Sequence, residues 1–303
     1  MRLGGVELNA DVQFEWGDMA ARVFNQQRNG AIVMAIIQQL DAGLDSHWCS
    51  FLSVFHVPDV QDHVGKSGAS VVFVVESPHI DEVRSGKRAD CRYPLAGKSG
   101  KEITRKFVDK GLLCSRHAGR PLGELLQEGN LDWLRVVNVC ELPLQADAYH
   151  QLFANGELDT GSESASLPSL QDWGKLMVAF RKIRKYGKTT SCKWPDDDLE
   201  RAIMEDFRER LRKAVSDSPL VVALGEVAAA VCRKAANKER ERTSNDLNNG
   251  SGSSPGNESW KRMCAGMTVP HPSFGHWSKE KRSAKIKKML CGMVEHRNKS
   301  RTA

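Results

Sequence analysis

Short apolar runs alternate with longer amphipathic stretches along the chain. Residues 71–75 (VVFVV) are five consecutive apolar positions, and residues 134–140 (LRVVNVC) and 219–224 (PLVVAL) have a similar β-branched composition. Runs of this length and composition are typical of strands that are buried on both faces of a parallel sheet. Residues 267–269 predict a short fourth strand in front of a Pro-His-Pro sequence.

Helices are predicted between these runs, where apolar residues recur at helical spacing. The clearest helix, over residues 199–215, follows a Pro-Asp-Asp-Asp sequence, and acidic residues stabilise the positive end of a helix dipole. The other predicted helices cover residues 98–110, 171–186, 226–236 and about 278–294. Because strands that alternate with helices indicate an α/β fold, the sequence predicts a three-layer domain in which helices flank a central, mostly parallel four-stranded sheet.

The predicted domain boundaries follow changes in composition. Residues 67–295 are predicted to form the main domain, and residues 1–66 a helical N-terminal segment that packs on it. Within the main domain, residues 145–170 are polar and rich in Gly and Ser, which predicts a loop. Residues 237–259 are first charged and then rich in Asn, Gly and Ser, which predicts a mobile surface insertion. Residues 296–303 are predicted to be a basic tail.

The composition narrows the class of protein. Hydrophobic residues make up 40% of the chain, which is enough for a substantial core. No apolar run reaches the roughly 18 residues that span a bilayer. The first residues, MRLGGVELNADV, are not a basic start followed by an apolar stretch, so we expect no signal peptide, a cytoplasmic location and no membrane partner. The eight cysteines are scattered without a CxxC pair, which favours reduced thiols over disulfides or a metal site.

The charge is distributed unevenly. The net charge is +6, and residues 261–303 contain 11 Lys/Arg against 2 Asp/Glu, whereas residues 1–70 contain 4 Lys/Arg against 8 Asp/Glu. A basic segment of this kind is typical of a surface that binds a phosphate backbone. A solvated helix face followed by a frayed tail explains the same charges equally well.

Polar side chains follow three of the predicted strands. Because ligands bind beyond the carboxyl ends of the strands in an open α/β sheet, we expect these side chains to surround one cleft. A carboxylate, an amide and an imidazole in one cleft are by themselves only a modest indication of catalysis. The polar residues at the strand ends are Glu76, Ser77 and His79, then Asn138, and finally His271 and Ser273.

The order and local sequence of these motifs resemble the uracil-DNA glycosylase superfamily. In the most similar branches the first motif reads GExPGxxE and is followed by a PFxGxxG loop, and residues 75–82 (VESPHIDE) and 94–100 (PLAGKSG) take these places. The next strand of those proteins ends in an Asn, as RVVNV does at Asn138. Their third strand resembles VVALGEVAA, and their last motif, HPS, corresponds to residues 271–273.

The resemblance covers about residues 70–290, apart from 145–195 and 237–260, and it implies both a fold and an activity. It implies a DNA glycosylase, which flips a nucleotide out of the helix and hydrolyses its N-glycosidic bond. The iron–sulfur branch of the superfamily needs pairs of spaced cysteines that are absent here, so we predict no cofactor and no metal. No lysine is marked as a Schiff-base nucleophile, so we expect a monofunctional enzyme that leaves an abasic site.

The resemblance also implies the catalytic roles. Glu76 would orient or activate water and stabilise the cationic sugar, and His271 would stabilise the negative charge of the departing base. Asn138 would read the edge of the base, because an amide offers both a donor and an acceptor. Each of the three also has a structural alternative, such as capping a helix or satisfying loop backbone.

The remaining implied roles concern the base and the DNA backbone. The residues expected around the base are Pro78, His79 and Leu95, and the hydroxyls expected to hold phosphates are those of Ser77, Ser99 and Ser273. Either Phe274 or Trp277 would wedge into the space left by the flipped base, although both fit a core position equally well. The side chains expected along the DNA backbone are Lys98, His276, Lys279, Lys281, Arg282 and Lys285.

Three departures from the motifs bear on the substrate. Ser77 replaces the water-activating Asp of some members, His79 replaces a Gly or Tyr, and Leu95 replaces the aromatic residue that stacks on uracil. Losing that ring removes stacking worth about 1–3 kcal/mol per base, which disfavours plain uracil. A pyrimidine with a large polar substituent fits better. Some members of the superfamily excise glucosylated hydroxymethylcytosine from phage DNA in antiviral defence, and this base is the predicted substrate.

Other functions are compatible with parts of the sequence. An ordinary uracil or deaminated-base repair glycosylase is the nearest alternative, and a non-catalytic DNA-binding protein on the same fold is another. A P-loop nucleotide enzyme, suggested by Gly97-Lys98-Ser99, is excluded because the motif requires Gly where Arg92 stands. In each remaining case DNA is the expected partner, and we expect a monomer.

Overall fold

Four parallel strands form the centre of the fold in a computed structural model, which describes residues 33, 35–36, 39, 52, 55–59, 69–84, 92–154, 170–248, 267–272, 277 and 283–302. Their order across the sheet is β2-β1-β3-β4. The strands are β1 (Ala69–Val75), β2 (Leu134–Asn138), β3 (Val215–Leu224) and β4 (Met267–Val269). All neighbouring pairs are parallel, so the predicted α/β fold with a central parallel sheet is confirmed.

Helices connect and cover the strands. The helix α6 begins where the sequence predicts, because the side chain of Asp197 accepts a hydrogen bond from the backbone N–H of Glu200 at 3.1 Å and caps the first turn. Short 3-10 turns cover Ser115–His117 and Tyr186–Lys188. The helices are α1 (Ile80–Arg84), α2 (Lys98–Asp109), α3 (Leu122–Gln127), α4 (Ala146–Ala154), α5 (Leu170–Lys185), α6 (Asp198–Ala214), α7 (Glu226–Asn248) and α8 (Ser283–Thr302).

The two faces of the sheet belong to two separate apolar clusters, which makes three layers. Successive residues of β1 alternate between them, with Val72 and Val74 in one cluster and Val71, Phe73 and Val75 in the other. Side chains of α5, α6 and α7 complete the first cluster, and side chains of α2, α3 and α8 complete the second. The strand residues are apolar on both faces because both faces are covered.

Three segments differ from the sequence prediction. The predicted loop 145–170 begins with α4, because Tyr149 is buried against Phe55 and Trp173 and its hydroxyl donates to the carbonyl of Pro143 at 2.8 Å. The first part of the predicted insertion 237–259 is helical, because its charged residues continue α7 as far as Asn248. The predicted basic tail 296–303 continues α8 to Thr302. Residues 249–259 and most of the N-terminal segment 1–66 lie outside the described residues.

The strand order fixes where a ligand site can form. The next strand after β1 in the chain, β2, lies beside β1 at one edge of the sheet. The two later strands, β3 and β4, extend the sheet in the opposite direction from β1. The connections therefore diverge between β1 and β3, and in open α/β sheets the crevice at such a point, beyond the carboxyl ends of the strands, is where ligands bind.

Candidate active site

A cavity of about 1050 Å³ opens at the carboxyl edge of the sheet, beyond β1, β3 and β4. This is the edge of the sheet, beside the switch point between β1 and β3, where the strand order predicts a ligand site. Parts of α5, the start of α7 and the start of α8 form its walls. Its described lining residues are Glu76, Leu144, Ala146, Met177, Arg181, Arg184, Lys185, Gly187, Lys188, Leu224, Gly225, Glu226, Val227, Thr268, Val269, Pro270, His271, Ala284 and Lys285.

Glu76 and His271, which are far apart in the sequence, line this one cavity. Glu76 directly follows β1, and His271 lies two residues beyond β4. Gly225 lies at the end of β3 with φ +102°, and a Cβ added to it would stand 3.4 Å from the Cβ of His271. The glycine thus lets β3 turn directly into α7 while leaving room for the imidazole.

Glu76 is partly shielded from water and forms an ion pair with Arg184. Its side chain is 27% exposed, and its Oε1 accepts a hydrogen bond from Nε of Arg184 at 3.1 Å. Burial raises the pKa of Glu76, and the neighbouring guanidinium of Arg184 partly offsets this rise. A half-buried carboxylate at a strand end is suited to orienting water or stabilising a cation.

The lining of the cavity is strongly basic. Most of the basic side chains come from the last turns of α5 and the 3-10 turn that follows it. Gly187 allows this turn to pack on α7, since an added Cβ would lie only 3.0 Å from the backbone nitrogen of Val227. The carboxylates are those of Glu76 and Glu226, and the five cations are Arg181, Arg184, Lys185, Lys188 and Lys285.

Sequence reasoning assigned only one of these five cations, Lys285, to DNA. The other four lie in residues 145–195, which the motif resemblance does not cover. The signal that could have identified them is the basic end of the helix predicted over residues 171–186, where residues 181–185 read RKIRK.

Asn138 does not reach the cavity, contrary to the predicted role in reading a base. The strand order makes β2 the outer strand next to β1, on the side away from β3, and Asn138 is fully buried at its end. Its backbone N–H donates to Oδ1 of Asp59 at 2.9 Å, and its carbonyl accepts from Nη1 of Arg210 at 2.8 Å. The side-chain oxygen of Asn138 has no hydrogen-bond partner among the described residues.

A buried polar network surrounds Asn138 instead. Arg210 donates to Oδ2 of Asp59 at 2.6 Å and to Oδ2 of Asp206 at 2.7 Å. Glu141 accepts the backbone N–H of Asp59 at 3.1 Å and contacts Nε2 of His56 at 3.0 Å. These contacts tie the segment at residues 56–59 to the end of β2 and to α6, so this edge of the sheet is a packed structural junction.

The motif after β1 serves mainly to hold the loops in place. Ser77 accepts the N–H of Leu144 at 3.2 Å, so its hydroxyl fixes a wall of the cavity, and Pro78 is buried beside it. His79 is exposed and does not line the cavity. Its Nδ1 accepts the N–H of Asp81 at 3.3 Å at the start of α1, which corrects the predicted position beside the base.

The carboxylate of Glu82 joins the first motif to the second. It accepts the N–H of His79 at 3.1 Å and the N–H of Leu95 at 2.7 Å, and burial raises its pKa to about 8. Leu95 has φ +59° and is buried in the apolar cluster with β1, so it does not take the predicted place of a stacking residue in the cavity. Gly100 permits this turn, because an added Cβ would lie 1.8 Å from the carbonyl oxygen of Leu95.

The residues predicted to contact DNA lie in different places in the structure. Trp277 is 2% exposed and its indole N–H donates to the carbonyl of Pro270 at 2.7 Å, so it is a core residue and the prediction of a wedge is wrong for it. Lys98 is exposed and Ser99 half-buried at the start of α2, outside the cavity lining. Six residues lie outside the described part of the chain: Ser273, Phe274, His276, Lys279, Lys281 and Arg282.

Comparison with protein-family models, with curated proteins and with solved structures finds no match for this chain. Among the described residues, no group of three or more His, Cys, Asp or Glu side chains is arranged to hold a metal ion. None of the helices in the described ranges is both long enough and apolar enough to cross a membrane.

Proposed function

We propose that this protein is a DNA glycosylase that hydrolyses the N-glycosidic bond of a nucleotide held in the basic cavity. The observation that carries the proposal is the meeting of Glu76 and His271 in one cavity at the switch point of the sheet. The motif resemblance of the sequence singles out the same two residues. The proposal would have lost its basis had they lain on opposite sides of the molecule.

The charge of the cavity supports DNA as the substrate. Five cations and two carboxylates line it, an excess of three positive charges that favours a polyanion. The N-terminus of α7 also faces the cavity through Glu226 and Val227, and the dipole of this long helix adds positive potential. A nucleotide flipped into the cavity would bring its flanking phosphates toward the cations.

The chemistry assigns one step to each of the two residues. Glu76 orients a water molecule toward the anomeric carbon, and its charge stabilises the sugar as positive charge develops there. The bond from the anomeric carbon to the base nitrogen breaks with its electron pair going to the base, and the water oxygen forms the new bond. His271 stabilises the negative charge of the leaving base. The attacking water gives up one proton and the base takes one up, so a neutral base leaves and an abasic deoxyribose remains.

The size of the cavity supports a bulky base. Its volume of about 1050 Å³ is slightly above the range of ordinary ligand pockets, which is about 300–1000 Å³. We therefore retain a large modified pyrimidine, such as glucosylated hydroxymethylcytosine of phage DNA, as the proposed substrate, with antiviral defence in the cytoplasm as the proposed role. Because Asn138 and Leu95 lie outside the cavity, the base would be selected by the residues that do line it.

The proposal is tested by measuring abasic sites in modified phage DNA and in uracil-containing DNA. We expect Glu76→Gln and His271→Ala each to reduce base release by about 100-fold or more while the protein remains folded. The control is Glu241→Gln, since Glu241 is an exposed residue of α7 outside the cavity lining and, among the described residues, pairs only with Lys238. Release that survives both site variants would contradict the proposal.

A second candidate, a non-catalytic DNA-binding protein, is favoured by two observations. The carboxylate of Glu76 is already ion-paired with Arg184, and the amide of Asn138 is buried away from the cavity. This candidate predicts salt-sensitive DNA binding that both site variants retain, with no abasic sites on any DNA. Preferential release of uracil would instead identify a repair glycosylase.

A further inference from the structure

Arg184 uses only part of its guanidinium group on Glu76. Its Nε donates to Oε1 of the carboxylate at 3.1 Å, while its terminal Nη1 and Nη2 groups have no hydrogen-bond partner within the described ranges. A guanidinium carries five N–H donors in a rigid planar fork, so most of its donors remain for another acceptor. The side chain is 48% exposed and lines the cavity, so these donors are accessible to a ligand.

The carboxylate of Glu76 is used only in part as well. Oε1 receives Arg184, and Oε2 has no partner in the part of the chain that the structure describes. Arg181, Lys185 and Lys188 line the same cavity, so an anion drawn to this set arrives beside Arg184. Of these cations, Arg184 is the one that contacts Glu76 in an ion pair.

We propose that Arg184 is a positioning residue that binds the Glu76 carboxylate and a DNA phosphate at the same time. Nε holds Oε1 of the carboxylate, and the terminal N–H groups bind phosphate oxygens of the strand in the cavity. Oε2 is left for the water molecule. The assignment of the anion as a DNA phosphate rests on the proposed function, whereas the partial use of the guanidinium does not.

A guanidinium that binds both groups would offset the repulsion between the DNA phosphate and the Glu76 carboxylate. A phosphate and a carboxylate in one half-dry cavity repel each other, which would weaken DNA binding and favour protonation of Glu76. A guanidinium between the two groups is attracted to both, so the carboxylate stays ionised when the strand is bound. Burial raises the pKa of Glu76 and Arg184 opposes this rise, which agrees with such a role.

The first test is a direct titration of Glu76 by NMR in the free protein, with Glu76→Gln used to assign its carboxyl signal. Arg184→Gln is expected to raise the pKa of Glu76, because the offsetting cation is lost. Arg181→Gln is the matched variant, since it removes one cation from the same helix and the same cavity without removing a recorded contact to Glu76. It is expected to leave that pKa unchanged.

The second test is the salt dependence of binding to a fluorescein-labelled DNA of mixed sequence. Each variant is expected to reduce the slope of log K against log salt by about 1, because each removes one phosphate contact. Arg184→Gln alone should then change both measurements. Where base release is measurable, the acidic limb of its pH profile should move to higher pH in Arg184→Gln and stay in place in Arg181→Gln, because Glu76 acts ionised.

Two results would overturn the bridge. If Arg184→Gln raises the pKa of Glu76 but leaves the salt slope unchanged, the pair is only a structural ion pair. If it lowers the slope but leaves the pKa unchanged, Arg184 is an ordinary phosphate contact. Neither measurement needs catalysis, so an inactive protein that shows both effects would retain the bridge while the glycosylase proposal fails.

Discussion

Replacing Arg210 by Met tests the assignment of Asn138 to a structural junction. Arg210 is buried on α6, where it donates to carboxylates of Asp59 and Asp206 and to the backbone carbonyl of Asn138. Methionine fills a similar length without charge or donors. The substitution therefore leaves two buried carboxylates and a carbonyl without their shared partner, and it changes nothing in the lining of the cavity.

The expected cost follows from these contacts. Removing one partner from a buried ion pair costs about 3–5 kcal/mol, since the remaining charge stays buried and unpaired. The loss of hydrogen bonds at 2.6 to 2.8 Å places Arg210→Met within that range and not below it. The carboxylates can reduce the cost by taking up protons, so the loss should be smaller at about pH 5 than at about pH 8.

The assay is denaturant unfolding at both pH values, with Arg212→Met as the control. Arg212 lies on the same helix, but its side chain is 53% exposed and pairs with Glu209 at the surface. An exposed pair contributes little, so the control should change the free energy of unfolding by no more than about 0.5 kcal/mol. A loss below about 1 kcal/mol in Arg210→Met, or one equal at both pH values, would refute the reasoning.

Two further predictions concern stability. Gly100→Ala should cost at least about 2 kcal/mol in unfolding experiments, because its Cβ would stand 1.8 Å from the carbonyl oxygen of Leu95. Gly174→Ala in α5, where no atom of the described residues outside the helix backbone lies within 4 Å of an added Cβ, should instead stabilise by about 0.5–1 kcal/mol. Equal effects of the two substitutions would contradict the packing described. Burial raises the pKa of Asp59 from 3.8 to about 7, so the folded state holds that proton more tightly than the unfolded state does. This contribution to stability is complete below about pH 4 and is lost as the pH rises through about 7. Unfolding curves measured over this pH range should therefore show a smaller decrease in the free energy of unfolding with rising pH for Asp59→Asn than for the unmodified protein.

The sheet could be predicted because its signal is local. The run from Val71 to Val75 is apolar at every position, and only a strand covered on both faces needs that pattern. Tyr149 shows the limit of such reasoning. It sits in a stretch whose composition predicts a loop, yet rings from two distant segments bury it within a helix.

Part of the cavity lining could be predicted for the same physical reason. Glu76 and His271 follow strands that end at the cavity, so their positions in the sequence were sufficient to place them together. Asn138 also follows a strand, but the order of strands in a sheet depends on long-range packing, and β2 lies on the far side of β1. The sequence did not identify Arg184, because its contact with Glu76 depends on where the end of α5 lies relative to β1, which no local motif reports.

The most direct test of the central claim, that Glu76 and His271 act together on a nucleotide held in the basic cavity, is mass spectrometry of bases released from a panel of natural and phage DNAs. The account predicts that the protein releases a free modified pyrimidine and leaves abasic sites in equal number, and that Glu76→Gln releases almost none. Failure to release a base from any DNA, under conditions in which the folded protein binds that DNA, would contradict the account.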